Sequence, residues 1–463
     1  MDCLIDLKTP QLEKIHSGKV RESFRLGPDR RLIAVTDRIS CFDKILKTPV
    51  PHKGAVLNGI SNYWFEATRD IVENHFIESV DPNITIVKEA VPVRIEVIVR
   101  GYLAGSMWRN YEKGRREFSG VGVPDGLKKN DRFEKPIVTP TTKEESDREI
   151  TSEDIVNEGW ASAETYGQMK EISLKLFERG SKKLSEKKII LVDTKYEFGL
   201  LDGKIILIDE IHTPDSSRFW LLDEYERNSE NVDSPDKEYV RAWLLKNAAG
   251  SKLPDELPEE VVKETTRRYL GLHELITGKS LKSRSEGGGI KSRIYSNLVK
   301  KGVIKDGYVA LIMGSPADDG HCEKIKKCVE KYGVMAEKRV VSAHKNGGEV
   351  IGMLEEYNDS IEPGAIIAVA GRSNGLGGTL AAGSALPVFN CPPFKDTADM
   401  VINLNSSLIM PSKVPAATVI EPENAALAAL RCLNLPRLRK IFMEEIRETR
   451  KKLREEDVKA RGR

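Results

Sequence analysis

The chain has 463 residues, enough for two to four domains at roughly 100–200 residues each. Its 73 Lys and Arg against 71 Asp and Glu leave a formal charge of +2, which excludes a general polyanion-coating role. A hydrophobic fraction of 40% excludes the disordered class. The N-terminal MDCLIDLKTPQLEK carries early acids and no apolar core, unlike a secretory signal, and no apolar run approaches the ~20 residues of a membrane helix. Six scattered cysteines without a CxxC pair read as reduced thiols. The expectation is a cytoplasmic protein of more than one domain, with no membrane and no nucleic acid as partner.

Strands in antiparallel-looking pairs fill the first half, with one clear helix around 164–188 that sets Met169, Ile172, Leu176 and Leu184 near one face. That pattern predicts an α+β domain. SGKVRESF (17–24) supplies Gly18, Lys19 and Arg21, a basic turn able to hold phosphates, although it lacks the GxxxxGK[ST] spacing. TDRISCFD (36–43) places Asp37, Arg38, Ser40 and Asp43 just after the strand LIAV, and VIVRGYLAGS (97–106) puts Arg100 at a strand end and Ser106 at a turn. Each patch alone is ordinary surface. Together they suit a polyanion plus an amino acid.

The most informative stretch is IILVDTKYEFGLLDGKIILIDEIHTPDSSRFW (189–220). Alternation places Asp193, Lys195 and Glu197 on one face of a strand. Leu-Asp-Gly-Lys is a hairpin turn, and the return strand ends in the paired carboxylates Asp209 and Glu210. A three-residue loop sets Glu197 opposite Asp209, and a two-residue loop sets it opposite Ile208, so the sequence leaves the register open. Facing carboxylates without Cys or His suit a hard cation such as magnesium, which arrives with nucleotide phosphates. TPDSSR (213–218) then offers Asp215, Ser217 and Arg218 on a loop, a set apt for a phosphate or carboxylate.

GKVRESF, TDRISCFD, VIVRGYLAGS, TPTTKEE, LVDTKYEFG and DEIHTPDSSRFW, in this order over about 10–275, resemble the SAICAR synthetase family of purine biosynthesis. The resemblance implies ATP-dependent, magnesium-dependent ligation of carboxyaminoimidazole ribotide (CAIR) with L-aspartate. It places Lys19 and Arg21 along the ATP phosphates and Glu197 and Asp209 around Mg2+. Asp37, Ser40, Arg100, Ser106, Asp215, Ser217 and Arg218 would hold the ribotide and aspartate, with Asp193 and Lys195 beside the reacting groups.

AGSKLPDELPEE (249–260) runs into a helical pattern ending near Gly278, and KSLKSRSEGGGIKSR (279–293) reads as a flexible linker or an exposed loop. Beyond it, YVALIM, EKRVVS, AIIAVAG and LPVFN are short buried-type strands alternating with helical patterns. This predicts a doubly wound parallel α/β sheet with ligand loops after Met313, Ser342 and Ala370. Ser315 lies where a helix opens, His344 and Lys345 follow the second strand, and a glycine-rich loop follows the third. A histidine there is placed to move a proton near neutral pH. Residues 436–463 carry eleven basic and six acidic side chains and read as a solvated or partner-packed helix.

GSPADDGHCEKI, SAHK, AVAGRSNGL, NCPP, SSLIMPS and EPENAALAAL resemble the AIR (aminoimidazole ribotide) carboxylase family. SAHK and GRSNGL resemble the branch that adds carbon dioxide directly, rather than the mutase branch. The resemblance implies that His344 transfers a proton, that Ser315 and Asp318 bind ribotide, and that Lys345, Arg372, Ser373 and Asn374 line the carboxyl-transfer pocket, with no cofactor. Pro316-Ala317 departs from the family pattern and removes one N–H from the phosphate loop. The expected organisation is a ligase domain (1–275), a linker (276–305), a carboxylase domain (306–435) and a charged helix (436–463). The carboxylase family resemblance further implies a homo-octamer. The rival readings are a mutase or a ribotide-binding assembly module at the C-terminal end.

Overall fold

A computed structural model describes residues 2–144, 147–232, 234–250, 252–281 and 289–462. The chain forms two units, one of Met1–Asp6 with Lys14–Ile294 and one of Leu7–Glu13 with Tyr295–Arg463.

The first unit opens with Lys14–Ser17 (β1), Arg21–Arg25 (β2) and Arg30–Val35 (β3). A small hairpin, Ser40–Cys41 (β4) and Lys44–Ile45 (β5), and the helix Lys53–Ala67 (α1) lead to Phe76–Asp81 (β6) and Ile84–Lys88 (β7). The resulting sheet is antiparallel in the order β1-β2-β3-β7-β6. Next come Val91–Tyr102 (β8), Gly105–Glu112 (α2), the hairpin Glu117–Phe118 (β9) and Val121–Gly122 (β10), Arg132–Thr142 (β11), Ser152–Asn157 (α3) and Ala163–Ser185 (α4). Ile189–Leu201 (β12), Lys204–Ile208 (β13), Ser217–Leu221 (β14), Leu222–Arg227 (α5), Glu238–Lys246 (α6) and Glu259–Thr277 (α7) complete the unit. The second antiparallel sheet has the order β11-β8-β12, and both β13 and β14 pair with the far edge of β12.

Helix α4 follows its amphipathic spacing. Ser162 caps it by accepting the Thr165 N–H at 3.0 Å, and Met169, Leu176 and Leu184 are buried while Ile172 is half-buried. Gly278 ends α7 in the left-handed conformation at φ 70°, as the sequence expects.

The stretch read as a linker contains a helix, Gly289–Lys300 (α8), so its second part is not flexible chain. Ile294 and Leu298 recur at i,i+4 and are both fully buried, which gives that helix an apolar face the preceding glycines conceal. Residues 282–288, with Gly287 and Gly288, lie outside the described residues.

The second unit continues with Tyr308–Met313 (β15), a 3-10 turn at Pro316–Asp318, Asp319–Lys331 (α9), Met335–Val340 (β16), Gly348–Asn358 (α10), Gly364–Val369 (β17) and Gly375–Gly383 (α11). Val388–Asn390 (β18), Thr397–Leu408 (α12), Ala417–Thr418 (β19), Pro422–Cys432 (α13) and Pro436–Ala460 (α14) follow. The five strands are parallel in the order β16-β15-β17-β18-β19, the flavodoxin-like doubly wound arrangement. Both faces of β15 are covered. Val309, Leu311 and Met313 join one core with residues of α9 and α13, and Tyr308, Ala310 and Ile312 join another with residues of α10 and α11.

Residues 7–13 precede β1 yet pack in this unit. Lys8 pairs with Asp359 at 2.6 Å, Thr9 and Gln11 donate to Glu362, and Gln11 exchanges hydrogen bonds with the Lys305 backbone at 2.8 and 2.9 Å.

Leu311 sits in the interior strand β15 with no exposure. Leu311→Ala is expected to cost the second unit about 2–5 kcal/mol, read as a lowered denaturant midpoint; a loss under about 0.5 kcal/mol would contradict this core.

Candidate active sites

The first site is built on β12 and its neighbour β8. Their antiparallel register sets Asp193 opposite Arg100, Lys195 opposite Ile98 and Glu197 opposite Glu96, so one sheet face carries a row of charges. The hairpin turn has two residues, Asp202 and Gly203, both with positive φ (49° and 77°). Glu197 therefore faces Ile208, and Asp209 lies one residue beyond β13 in a left-handed conformation at φ 66°. From there the chain leaves the sheet edge and returns at Ser217, so Asp209, Glu210 and Asp215 all belong to one excursion between two strands of the same edge.

Pairing is dense. Arg21 bonds Asp209 and lies 2.5 Å from Glu210; Lys195 lies 2.6 Å from Glu96 and 2.9 Å from Glu197; Lys143 also bonds Glu197. Burial opposes ionisation of Asp209, but Arg21, Lys195 and Lys143 outweigh it and hold the carboxyl well below its ordinary range. Glu197 moves the other way, raised by burial and then by Asp209 beside it. Burial also disfavours the Lys195 cation, yet Glu197 and Glu96 more than offset it and hold the ammonium charged.

These groups line a cleft of about 880 Å³ together with Lys19, Arg21 and Ser40. The Gly18 N–H donates to the Arg21 carbonyl at 2.8 Å, closing the basic turn over the cleft, and Lys19 pairs with Asp43 at 2.5 Å. A smaller cavity of about 160 Å³ adjoins it, lined by Arg100, Asp193, Ser217 and Arg218. Lys195, Asp215, Lys237 and Arg241 line both. Arg218 holds Asp193 at 2.5 Å, and Ser217 shares a 2.7 Å hydrogen bond with Thr194. Asp215 is fixed by Lys53 at 2.8 Å, Lys237 at 3.5 Å and the Tyr269 hydroxyl at 3.1 Å. Burial opposes its ionisation, but Lys237 and Lys53 hold its carboxyl well below the usual range.

Two residues expected at the site stand apart. Asp37 is fully buried, and its two oxygens accept the Leu4 and Gly54 N–H groups at 2.8 and 2.9 Å, which leaves it a structural tie rather than a ligand-facing group. Ser106 is exposed on the first turn of α2 and lines neither cavity. Conversely, the sequence reading did not single out Glu96, Lys143, Lys53, Lys237 or Arg241. Glu96 and Arg100, the charged residues of the apolar run IEVIVRGY (95–102), were the available signal; the fully buried Lys53 gave none.

In the second unit the loops after β15 and β17 flank the switch point of the parallel sheet, where such folds bind ligands. His344 and Lys345 are exposed in the turn after β16. The imidazole lies so near Gly375 that a Cβ there would sit 2.9 Å from it and would push the ring aside. Arg372 and Ser373 are exposed, and Arg372 is left-handed at φ 57°. Asn374 is buried and spent on structure: its Oδ1 caps α11 by accepting the Gly377 N–H at 2.9 Å, and its Nδ2 donates to Ser407 at 2.9 Å. Ser315 caps the 3-10 turn by accepting the Ala317 N–H at 3.2 Å, and the Gly314 N–H is engaged by the Val369 carbonyl at 3.0 Å. Burial raises the Asp318 carboxyl above its ordinary range. Beside this loop, His321 meets Cys391 at 3.2 Å between ring nitrogen and sulfur.

An α+β unit with a charge-lined cleft, followed by a doubly wound unit with an exposed histidine beside its switch point, has the architecture of a two-module enzyme. Residues 14–256 match the model of the SAICAR synthetase family and residues 308–456 that of the AIR carboxylase family. The chain belongs to the SAICAR synthetase family and carries an AIR carboxylase family domain after it. It is 43% identical to the phosphoribosylaminoimidazole-succinocarboxamide synthase of Legionella pneumophila (strain Paris) over 308 residues, 64% of this chain and 97% of that one. Identity to the synthase of the same name from Bacteroides thetaiotaomicron is 40% over 304 residues, 64% and 96% of the two chains. The solved SAICAR synthase of Saccharomyces cerevisiae, in complex with SAICAR, is 30% identical with a TM-score of 0.55, covering 60% of this chain and 99% of that one. Among the described residues no helix is long and apolar enough to cross a membrane.

Asp37→Ala leaves two backbone N–H groups unpaired in the interior. It is expected to lower the stability of the first unit by about 2–4 kcal/mol while leaving the KM values of the folded enzyme for ATP and CAIR unchanged. A raised KM in protein shown to be folded would return Asp37 to the site.

Proposed function

We propose that the chain catalyses two consecutive steps of purine biosynthesis: direct carboxylation of AIR to CAIR in the second unit, and ATP-dependent ligation of CAIR with L-aspartate in the first. The observation that carries the ligase reading is the row of paired charges on β8 and β12 opening into a cleft with the basic Lys19–Arg21 turn. In this reading a CAIR carboxylate oxygen attacks the terminal phosphorus of ATP, ADP leaves, and a mixed acyl phosphate forms. The aspartate amine then attacks the acyl carbon, the bond to phosphate breaks, and the amine loses a proton. Lys19 and Arg21 neutralise the phosphates, and Lys195 stays protonated beside the transferring group. Arg100, Ser217 and Arg218 hold the ribotide and aspartate, with Asp193 orienting Arg218; Ser40 and Asp215 line the adjoining cleft, and Ser106 takes no part.

Glu197 and Asp209 are carboxylate donors of the kind a hard dication takes, and the ion would displace the Lys143, Lys195 and Arg21 cations that hold them here. Among the described residues no three His, Cys, Asp or Glu side chains form a ready-made metal cage, so phosphate oxygens and water would complete the shell. Magnesium bound there supplies positive charge to the transferring phosphoryl group.

For the second unit, His344 takes the proton from the imidazole carbon as that carbon forms its bond to carbon dioxide. Lys345, Arg372 and Ser373 stabilise the new carboxylate, with Ser315 and Asp318 toward the ribotide. SAHK and the Arg372–Asn374 loop support carbon dioxide as the substrate. We also propose a cytoplasmic homo-octamer assembled through this unit, supported by the exposed apolar Val401, Ile402, Leu408 and Ile409 on and just after α12; a monomer by light scattering would refute the assembly.

Purified protein given AIR and bicarbonate without ATP should form CAIR, and adding ATP, magnesium and aspartate should then yield SAICAR. His344→Ala should abolish the first stage alone, and Glu197→Gln should slow the second alone by roughly 100-fold or more. If AIR is untouched while supplied N-carboxylated AIR is converted to CAIR, the second unit is a mutase. Absence of both conversions would make it a binding module.

A further inference from the structure

Helix α12 is turned inside out. Asn403 and Ser407 are 3% and 0% exposed, whereas Val401, Ile402 and Leu408 are 49%, 60% and 57% exposed. A helix buries polar side chains in preference to apolar ones only where each polar atom finds a partner, since an unpaired one costs about 1–3 kcal/mol. Here every partner is present. Asn403 Oδ1 accepts the Arg372 N–H at 2.5 Å, and its Nδ2 donates to the Pro393 carbonyl at 2.7 Å. The Ser407 hydroxyl donates to the Asn403 carbonyl at 2.9 Å and accepts from Asn374 Nδ2 at 2.9 Å. The Ser407 carbonyl accepts from Asn390 at 3.2 Å and Thr418 at 3.0 Å.

These bonds converge on the loop after β17. Arg372 is not glycine yet holds φ 57°, a left-handed conformation that an L-residue adopts only at a cost. Its backbone N–H ends on Asn403, and the far end of the same loop, Asn374, ends on Ser407. The exposed Arg372 and Ser373 therefore project from a backbone clamped at both sides by one helix face.

We infer that Asn403, backed by Ser407, is a positioning residue for carboxyl transfer: it locks the strained Arg372 backbone and so fixes where Arg372 and Ser373 meet the new carboxylate. This rests on the carboxylation reading of the second unit. Misplacement by a fraction of an ångström is enough to slow a reaction of this kind without touching the reactants.

The test is a double-mutant cycle on the full chain, with the denaturant midpoint of the second unit showing that each variant is folded there and ligation of supplied CAIR as the control for the first unit. Asn403→Ala is expected to lower kcat/KM for AIR carboxylation by roughly 10- to 100-fold, with ligation unchanged. Asn403→Asp, which keeps the acceptor for the Arg372 N–H, should recover at least part of the loss. Arg372→Ala should also slow carboxylation, and the pair Arg372→Ala/Asn403→Ala should be little slower than Arg372→Ala alone, because the amide acts through the arginine. Additive losses, or wild-type kinetics in folded Asn403→Ala, would overturn the inference while leaving carboxylation standing. Wild-type protein unable to carboxylate AIR would overturn the reading beneath it.

Discussion

Charge buried against charge on a single sheet face is the constraint to which the first unit answers. Removing an ion from water costs several kcal/mol even after relaxation, and breaking a buried pair costs about 3–5 kcal/mol. Glu96, Glu197 and Glu210 lie in that regime, with Arg21 and Asp209 half-buried beside them, so the partners must arrive in register. A one-residue slip of β12 against β8 would turn the entire row to the opposite face. The two-residue Asp202-Gly203 turn and the left-handed Asp209 are the local devices that keep the excursion 209–216 aimed back at β12.

The second unit reaches precision by a different route. Its inner strands β15 and β17 are apolar on both sides and the strands contribute only their ends, so the loops that bear His344, Lys345, Arg372 and Ser373 need external support. Neutral amides and hydroxyls provide it: Asn346 bonds the Ser342 N–H, Asn374 caps α11, and Asn403 and Ser407 hold the loop between them. Neutral groups hold these loops without the desolvation penalty of the first unit's ions. Their geometry is correspondingly directional.

Much of this was legible in the residues. Strict alternation in IILVDTKYEFGLL set Asp193, Lys195 and Glu197 on one face, and the sites of the second unit fell after strands whose apolar runs announce a parallel sheet. The hairpin register was open because Asp-Gly tolerates loops of two or three residues until the backbone angles are known. Asp37 misled because its partners are backbone N–H groups 33 and 17 positions away, and a polar cluster on paper carries no mark of burial. Lys53 was silent for the same reason. Helix α12 escaped notice since its apolar residues point outward, which defeats any reading that equates apolar with inside. The glycines before α8 obscured a short helix whose apolar face needs only Ile294 and Leu298.

The segment Leu7–Glu13 gives the molecule a calendar. Lys8 and Thr9 leave the ribosome well ahead of their partners Asp359 and Glu362, which lie 351 and 353 positions later. At about 5–20 residues per second, roughly 20–70 s separate the synthesis of the two sides of this seam. The first unit has all its strands in hand well before then, and it must form with its own preceding segment still undocked. Closing the seam is therefore among the last events of folding, and residues 7–13 find their place long after they are made.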